Sequence, residues 1–227
     1  MNSAIILGAG RGSRMNAPIN KQYMKIKGKE IIRWSIEAFL KSKKTDEIIV
    51  VVAKGEEDEI KRLLTREEEK IIKIVVGGQR RQDSVYKGLL AMNDNEGAVL
   101  IHDGARPLIS SETIDLVWDF LKEKNAAIVG VPVKDTIKIV SEKKEVIDTP
   151  NRESLWAVQT PQGFDKKLII RAHKNAQLNK IEVTDDSMMV ELLGEKVSMI
   201  MGSYENIKIT TQEDLDIAES ILNRREF

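Results

Sequence analysis

Short apolar runs rich in β-branched residues alternate along the chain with longer stretches whose apolar positions recur every three or four residues. The runs Ala4–Leu7, Ile48–Ala53, Ile71–Val76, Ala98–His102 and Ala127–Val133 are nearly continuous in apolar character, which predicts strands buried on both faces. Between them Glu30–Leu40, Asp58–Leu64, Gln82–Met92 and Ser111–Lys122 carry helical periodicity, the last opened by Ser110 or Ser111 as N-cap. This alternation predicts right-handed βαβ units, and so an α/β fold whose mostly parallel twisted sheet has helices on both faces.

The alternation breaks after Val133. Ile137–Val140 and Glu145–Ile147 flank the polar turn Ser141–Lys144 and predict a β-hairpin projecting from the α/β body. A lone two-stranded hairpin is marginal in water, so it packs either on its own subunit or on another chain, and the pattern leaves both open. Beyond Trp156 the sequence predicts two helical segments, strands at Val197–Met201 and Ile207–Thr210, and a closing helix from Gln212. Trp156 and Phe164 read as core. His173 reads as helix surface, and Asp185 and Asp186 as caps of a helix from Ser187.

At 227 residues the chain suits a single domain, 1–227. Apolar residues make up 41% and charged residues 32%, a composition that folds. The 36 Lys and Arg balance 36 Asp and Glu, so no global field favours nucleic acid or an anionic membrane, and an anionic ligand needs a local basic site. Cysteine is absent, which removes disulfides, thiolate metal sites and a cysteine nucleophile. No basic segment precedes the first apolar run, and no run approaches bilayer-spanning length; the expectation is a cytoplasmic protein without a membrane partner.

The candidate chemistry gathers at strand ends, where open α/β sheets bind ligands. The first strand runs into GAGRGSRM and NAPINKQY. Gly8, Ala9, Gly10, Arg11 and Gly12 let backbone N–H groups approach phosphate oxygens, with Arg14 and Lys21 as cationic clamps for a triphosphate. The alternative is a turn serving only the fold. Neither a Rossmann fingerprint nor a P-loop fits: Ser13 stands where the third glycine belongs, and no Gly-Lys-Ser/Thr is present. The third strand ends in VVGGQRRQDSV, where Ser84 can bond a base or ribose, or where Gln82 or Asp83 caps a helix after a plain glycine turn. The fourth runs into HDGARP, with Asp103 suited either to Mg²⁺ or to capping the next turn, and Arg106 to a phosphate or to Asp103. His102 reads as packed or orienting rather than as a base. Thr136, Arg152, Thr160, Thr184 and Lys208 are groups of the kind that surround a polyol phosphate.

In this order, GAGRGSRM, KQY, GGQRRQDSV, HDGARP, VKDTIK, NRESLWAVQTPQGF, TDD and NIKITTQEDL resemble the 2-C-methyl-D-erythritol 4-phosphate cytidylyltransferase family over essentially the whole chain. The resemblance implies a Rossmann-like nucleotidyltransferase that joins CMP from CTP to a polyol phosphate. It also implies a homodimer in which an arm at about 135–155 crosses to the partner. Arg14 and Lys21 match residues that stabilise the α-phosphate, and Asp103 a ligand of Mg²⁺, joined by Glu205 where Asp is common. Gly8 to Gly12, Gly78, Gln79, Ser84 and Gly104 match the CTP site. Arg106, Thr136, Arg152, Thr160, Thr184 and Lys208 match positions around the acceptor phosphate, so that Arg152 and Lys208 join Arg14 and Lys21 as catalytic candidates. Asn20 stands where many members carry proline, which would stiffen the loop before Lys21. Ribitol 5-phosphate cytidylyltransferases share much of the scheme, and a non-catalytic nucleotide-binding homologue is the other alternative.

Overall fold

The structure, a computed structural model, describes residues 1–10, 20–94 and 96–225. Five runs form strands close to the expected bounds: β1 Ser3–Leu7, β4 Glu47–Val52, β5 Ile72–Val76, β6 Ala98–Asp103 and β7 Ala126–Pro132. With β10 (Trp156–Asp165) and β11 (Ser198–Met201) they build a seven-stranded sheet in the order β11-β7-β10-β6-β1-β4-β5. Every neighbouring pair is parallel except those made by β10, which runs antiparallel to both β6 and β7. Two short ribbons stand outside the sheet, β2 (Lys25–Ile26) with β3 (Lys29–Glu30), and β8 (Ile139–Val140) with β9 (Val146–Asp148).

Strand side chains alternate between faces, so each strand feeds two cores. Ile48, Val50 and Val52 of β4 meet α1 (Ile31–Lys41) and α4 (Ser111–Phe120) through Ile36, Phe39, Val117 and Trp118. Ile49 and Val51 face the other way, toward α3 (Arg81–Leu90), α5 (Lys166–Leu178) and α6 (Asp186–Glu191), through Val85, Leu89, Ile169 and Val190. A third, smaller core lies under α7 (Gln212–Arg225), and α2 (Glu57–Leu63) follows β4. Ser110 caps α4 by accepting from Thr113 N at 3.2 Å, as the sequence predicts.

Three expectations are corrected. WAVQTPQGFD is a ten-residue internal strand, although the sequence predicts helical segments as the next elements beyond Trp156. Its Pro161 sits where the β10–β7 register shifts between Val158 and Gln162, so the missing N–H falls in the irregular stretch of the ladder. Ile207–Thr210 is not a strand; one backbone bond, Ile209 N to Ala105 O at 2.8 Å, ties it to the loop after β6. His173 is buried at 2% exposure because it lies on the apolar stripe of α5 with Leu168, Ile169, Ala172 and Ala176.

Candidate active site

A cavity of about 820 Å³ opens at the carboxyl ends of β1, β4, β5 and β6, where the strand order turns about β1. Its wall carries Lys21, Lys54, Arg80, Arg81, Lys87 and Lys208, and among the described residues a single carboxylate, Asp103. So cationic a wall on a neutral chain suits a polyanion. Gly8, Ala9, Gly10, Gly78, Gln79 and Ser84, all expected at the nucleotide site, line it; Arg11, Gly12 and Arg14 lie outside the described residues.

The turn after β5 closes against the stem of the glycine loop. A Cβ on Gly77 would stand 2.7 Å from both Ala9 Cβ and Ser84 Oγ, so a larger residue would push the two stems apart. Ser84 Oγ accepts from Gly78 N at 3.0 Å and donates to Arg80 O at 3.2 Å, which holds the turn at the start of α3. At the opposite stem, Lys21 Nζ donates to Ile209 O at 2.9 Å, spanning from the glycine loop to the segment after β11.

Asp103 ends β6. Lys208 Nζ lies 2.6 Å from its Oδ2 and Arg81 Nε 3.3 Å from its Oδ1. Burial works to raise the Asp103 pKa, but Arg81 and Lys208 overcome it and hold the carboxyl well below its ordinary range. Arg81 was assigned no role from sequence. Its signal was positional: Arg81 shares a helical stripe with the buried Ser84, Val85 and Gly88, a place where an arginine needs a partner. Behind it Arg81 Nη1 pairs at 2.7 Å with Asp186, which is wholly buried. Burial works against the guanidinium, and Asp186 and Asp103 outweigh it to raise the Arg81 pKa. His173 Nε2 lies 3.7 Å from Asp186 Oδ1, beyond hydrogen-bond length, with its ring stacked on Tyr86. Asp185, not Asp186, caps α6, accepting from Met188 N at 3.0 Å.

Thr160 reaches Asp103 from β10. Its hydroxyl oxygen accepts from Asp103 N at 3.1 Å and its proton goes to His102 Nδ1 at 3.0 Å, which leaves His102 Nε2–H to donate to Arg106 O at 3.2 Å. Burial pushes the His102 pKa down to about 4, so the ring is neutral and orients its neighbours, as the sequence predicts.

Several expected residues do not line the cavity. Arg106 donates to Asn206 O at 2.8 Å and Val158 O at 3.4 Å, and burial lowers its pKa. Gly104 packs beneath β1, where a Cβ would stand 2.9 Å from Leu7 O. Thr184 is exposed just before α6, and Thr136 is exposed beside the β8–β9 hairpin. Arg152, also exposed, donates to Lys134 O at 2.8 Å. Glu205 pairs with Arg225 at 3.0 Å and Arg224 at 3.5 Å.

Residues 3–224 match the family described as IspD: 2-C-methyl-D-erythritol 4-phosphate cytidylyltransferase. A 2-C-methyl-D-erythritol 4-phosphate cytidylyltransferase from Clostridioides difficile (strain 630) is 52% identical over 224 residues, 98% of this chain and 94% of that protein. One from Caldanaerobacter subterraneus subsp. tengcongensis is 46% identical over 98% of this chain and 99% of its own. Among solved structures, 4-diphosphocytidyl-2C-methyl-D-erythritol synthase from Anaerococcus prevotii DSM 20548 superposes with a TM-score of 0.87 at 38% identity, covering 98% of this chain and 96% of that one.

Proposed function

The chain belongs to the 2-C-methyl-D-erythritol 4-phosphate cytidylyltransferase family, and from that premise we propose how its cavity performs the transfer. The enzyme moves CMP from CTP to 2-C-methyl-D-erythritol 4-phosphate, giving 4-diphosphocytidyl-2-C-methyl-D-erythritol and pyrophosphate in isoprenoid precursor biosynthesis. An oxygen of the monoester attacks the α-phosphorus in line; one P–O bond forms as the bond to the leaving pyrophosphate breaks. The monoester is anionic near neutral pH, so no general base is required. That agrees with two histidines that are buried and absent from the cavity wall.

Catalysis is then positioning and charge neutralisation. Gly8 to Gly12 and the Gly77–Gln79 turn hold the nucleotide, Arg14 and Lys21 neutralise charge at the α-phosphate, and Lys208 stands beside Asp103. The observation that carries this reading is Asp103 at the sheet's carboxyl edge, paired with Lys208 and Arg81 on a wall whose other charged side chains, among the described residues, are all cations. Asp103 fits Mg²⁺ in charge and donor type: magnesium takes hard oxygen ligands, one or two carboxylates with substrate phosphates and water completing the set. Bound there, the ion would offset phosphate charge. Glu205 does not line the cavity, so we assign the ligand role to Asp103 alone.

Thr136 and Arg152, matched to the acceptor phosphate, sit on or beside the arm and off the cavity of their own chain. The arm also exposes Val146 and Ile147 at 61% and 65%. Both features support a homodimer in which each arm completes the partner's site, with Arg106, Thr160, Thr184 and Lys208 supplied by the body. We place the enzyme in the cytoplasm with CTP; no helix of the described residues is long and apolar enough to cross a membrane.

The decisive assay is pyrophosphate release from CTP with each acceptor in turn. Strong preference in kcat/KM for methylerythritol phosphate over ribitol 5-phosphate is expected, and equal or reversed values would sink the acceptor assignment.

A further inference from the structure

Glu56 is the residue before α2 and makes no side-chain cap to it. Its carboxylate turns back toward the glycine loop. There it accepts from four donors: Asn20 Nδ2, Gln22 Nε2 at 3.4 Å, Tyr23 Oη at 3.1 Å and Ala53 N at 3.3 Å. Three of the four belong to the short segment 20–23, on both sides of Lys21, and the fourth is the backbone at the end of β4. Gln22 is itself buried and donates also to Gly8 O, so one carboxylate is connected to both stems of the glycine loop. Burial, reinforced by Glu56, raises the Tyr23 pKa and keeps the phenol a donor.

The Asn20 backbone shows what the restraint achieves. Its φ of −61° is the value a proline would impose through its ring, and its ψ of 136° leaves it extended. Here an asparagine holds them, and its side chain is tied to Glu56. Lys21 then leaves a backbone fixed on either side and reaches across the cavity to Ile209 O.

We propose that Glu56 is a positioning residue for the transfer, clamping Asn20, Gln22 and Tyr23 so that the Lys21 ammonium is preorganised at the reacting phosphate. The proposal rests on the charge-neutralising role given to Lys21 above. Removing Glu56 would let the segment sample other conformations, and each turnover would have to select the productive one.

A double-mutant cycle on the intact enzyme tests it, with kcat and KM for CTP measured for wild type, Glu56→Ala, Lys21→Ala and the double variant. Glu56→Ala is expected to lower kcat by about tenfold with a smaller change in KM, since the lost interaction acts in the transition state. In the Lys21→Ala background the same change should cost nothing further, because Glu56 works through Lys21. An unchanged kcat in Glu56→Ala, or a loss that multiplies onto that of Lys21→Ala, overturns the proposal. Normal turnover in Lys21→Ala overturns instead the role of Lys21, and the proposal with it. If Glu56→Ala does not fold, Glu56→Gln takes its place in the cycle: it keeps the volume but turns an amide toward the donors, and the same ordering is expected. Adding Asn20→Pro to Glu56→Ala should recover part of the lost turnover. A merely structural Glu56, supporting α2, would show no such rescue, and its absence would overturn the assignment of the Asn20 bond as the restraint.

Discussion

Arg81 spans two carboxylates that the fold sets at different depths, Asp186 in the core behind α6 and Asp103 on the cavity wall. The two contacts have separable consequences. Asp186 is fully buried, and an ion there without its cation costs on the order of 3 kcal/mol or more. Asp103 keeps Lys208 at 2.6 Å when Arg81 is gone, so it stays ionised but loses one of its two restraints. Arg81→Met is therefore expected to lower stability by about 3 kcal/mol and also to lower turnover. Adding Asp186→Asn removes the stranded charge and should restore most of the stability, while turnover stays low because Asp103 still lacks the guanidinium. Urea denaturation read beside pyrophosphate release separates the two effects. If turnover returned with stability, Arg81 would be serving only the core.

Elements whose burial is apolar were legible in the sequence, and those whose burial is polar were not. The five strands and four helices read from periodicity recur within a residue or two of the expected bounds, because β-branched runs and three-to-four spacing report burial directly. β10 escaped because its buried side chains carry hydrogen bonds in place of hydrocarbon. Gln159 Nε2 donates to Ser203 O at 2.8 Å, Gln162 Nε2 to Asp185 Oδ2 at 2.8 Å, and Thr160 serves Asp103. Such a strand looks like a loop until its partners are known. The same holds for the site: the glycine turns and Asp103 were readable from motif order, whereas Arg81 depends on a carboxylate about a hundred residues away. Ion pairs between elements are equally silent in sequence. Arg33 of α1 grips Glu68, ahead of β5, through two bonds of 2.8 and 2.7 Å. That pairing, helped by hydrogen bonds with Thr65, lowers the Glu68 pKa from 4.5 to about 2. In the unfolded chain the carboxyl takes up its proton near its ordinary pKa, so the pair's full contribution is present above about pH 4.5. It declines as pH falls toward 2 and is absent below that. Glu68→Gln should cost about 2 kcal/mol at pH 7, allowing for solvent screening of a partly exposed pair, and almost nothing near pH 2. Stability curves of the two proteins that ran parallel from pH 7 to 2 would show that the pair contributes no pH-dependent stability.

The hairpin is the element on which the proposed homodimer turns. Its position was readable from the break in βα alternation after Val133, but the chain that covers it was not, because a hairpin of exposed apolar residues fits either destination. If each active site combines one chain's Lys21 with the other's Arg152, the two lesions should complement. Lys21→Ala and Arg152→Ala are each expected to be nearly inactive as homodimers. When their subunits exchange at random, about half the dimers are mixed. In a mixed dimer, the body with the altered Lys21 receives the altered arm, and that site carries both lesions. The body with the intact Lys21 receives the intact Arg152, and that site is whole. Half the dimers with one good site of two give about one quarter of wild-type activity. An arm folded back on its own body predicts something different, since every site then keeps one lesion whatever the mixing. Native mass spectrometry of differently tagged chains shows whether exchange has occurred, and activity that stays at the level of the parent variants after exchange would rule out the shared site.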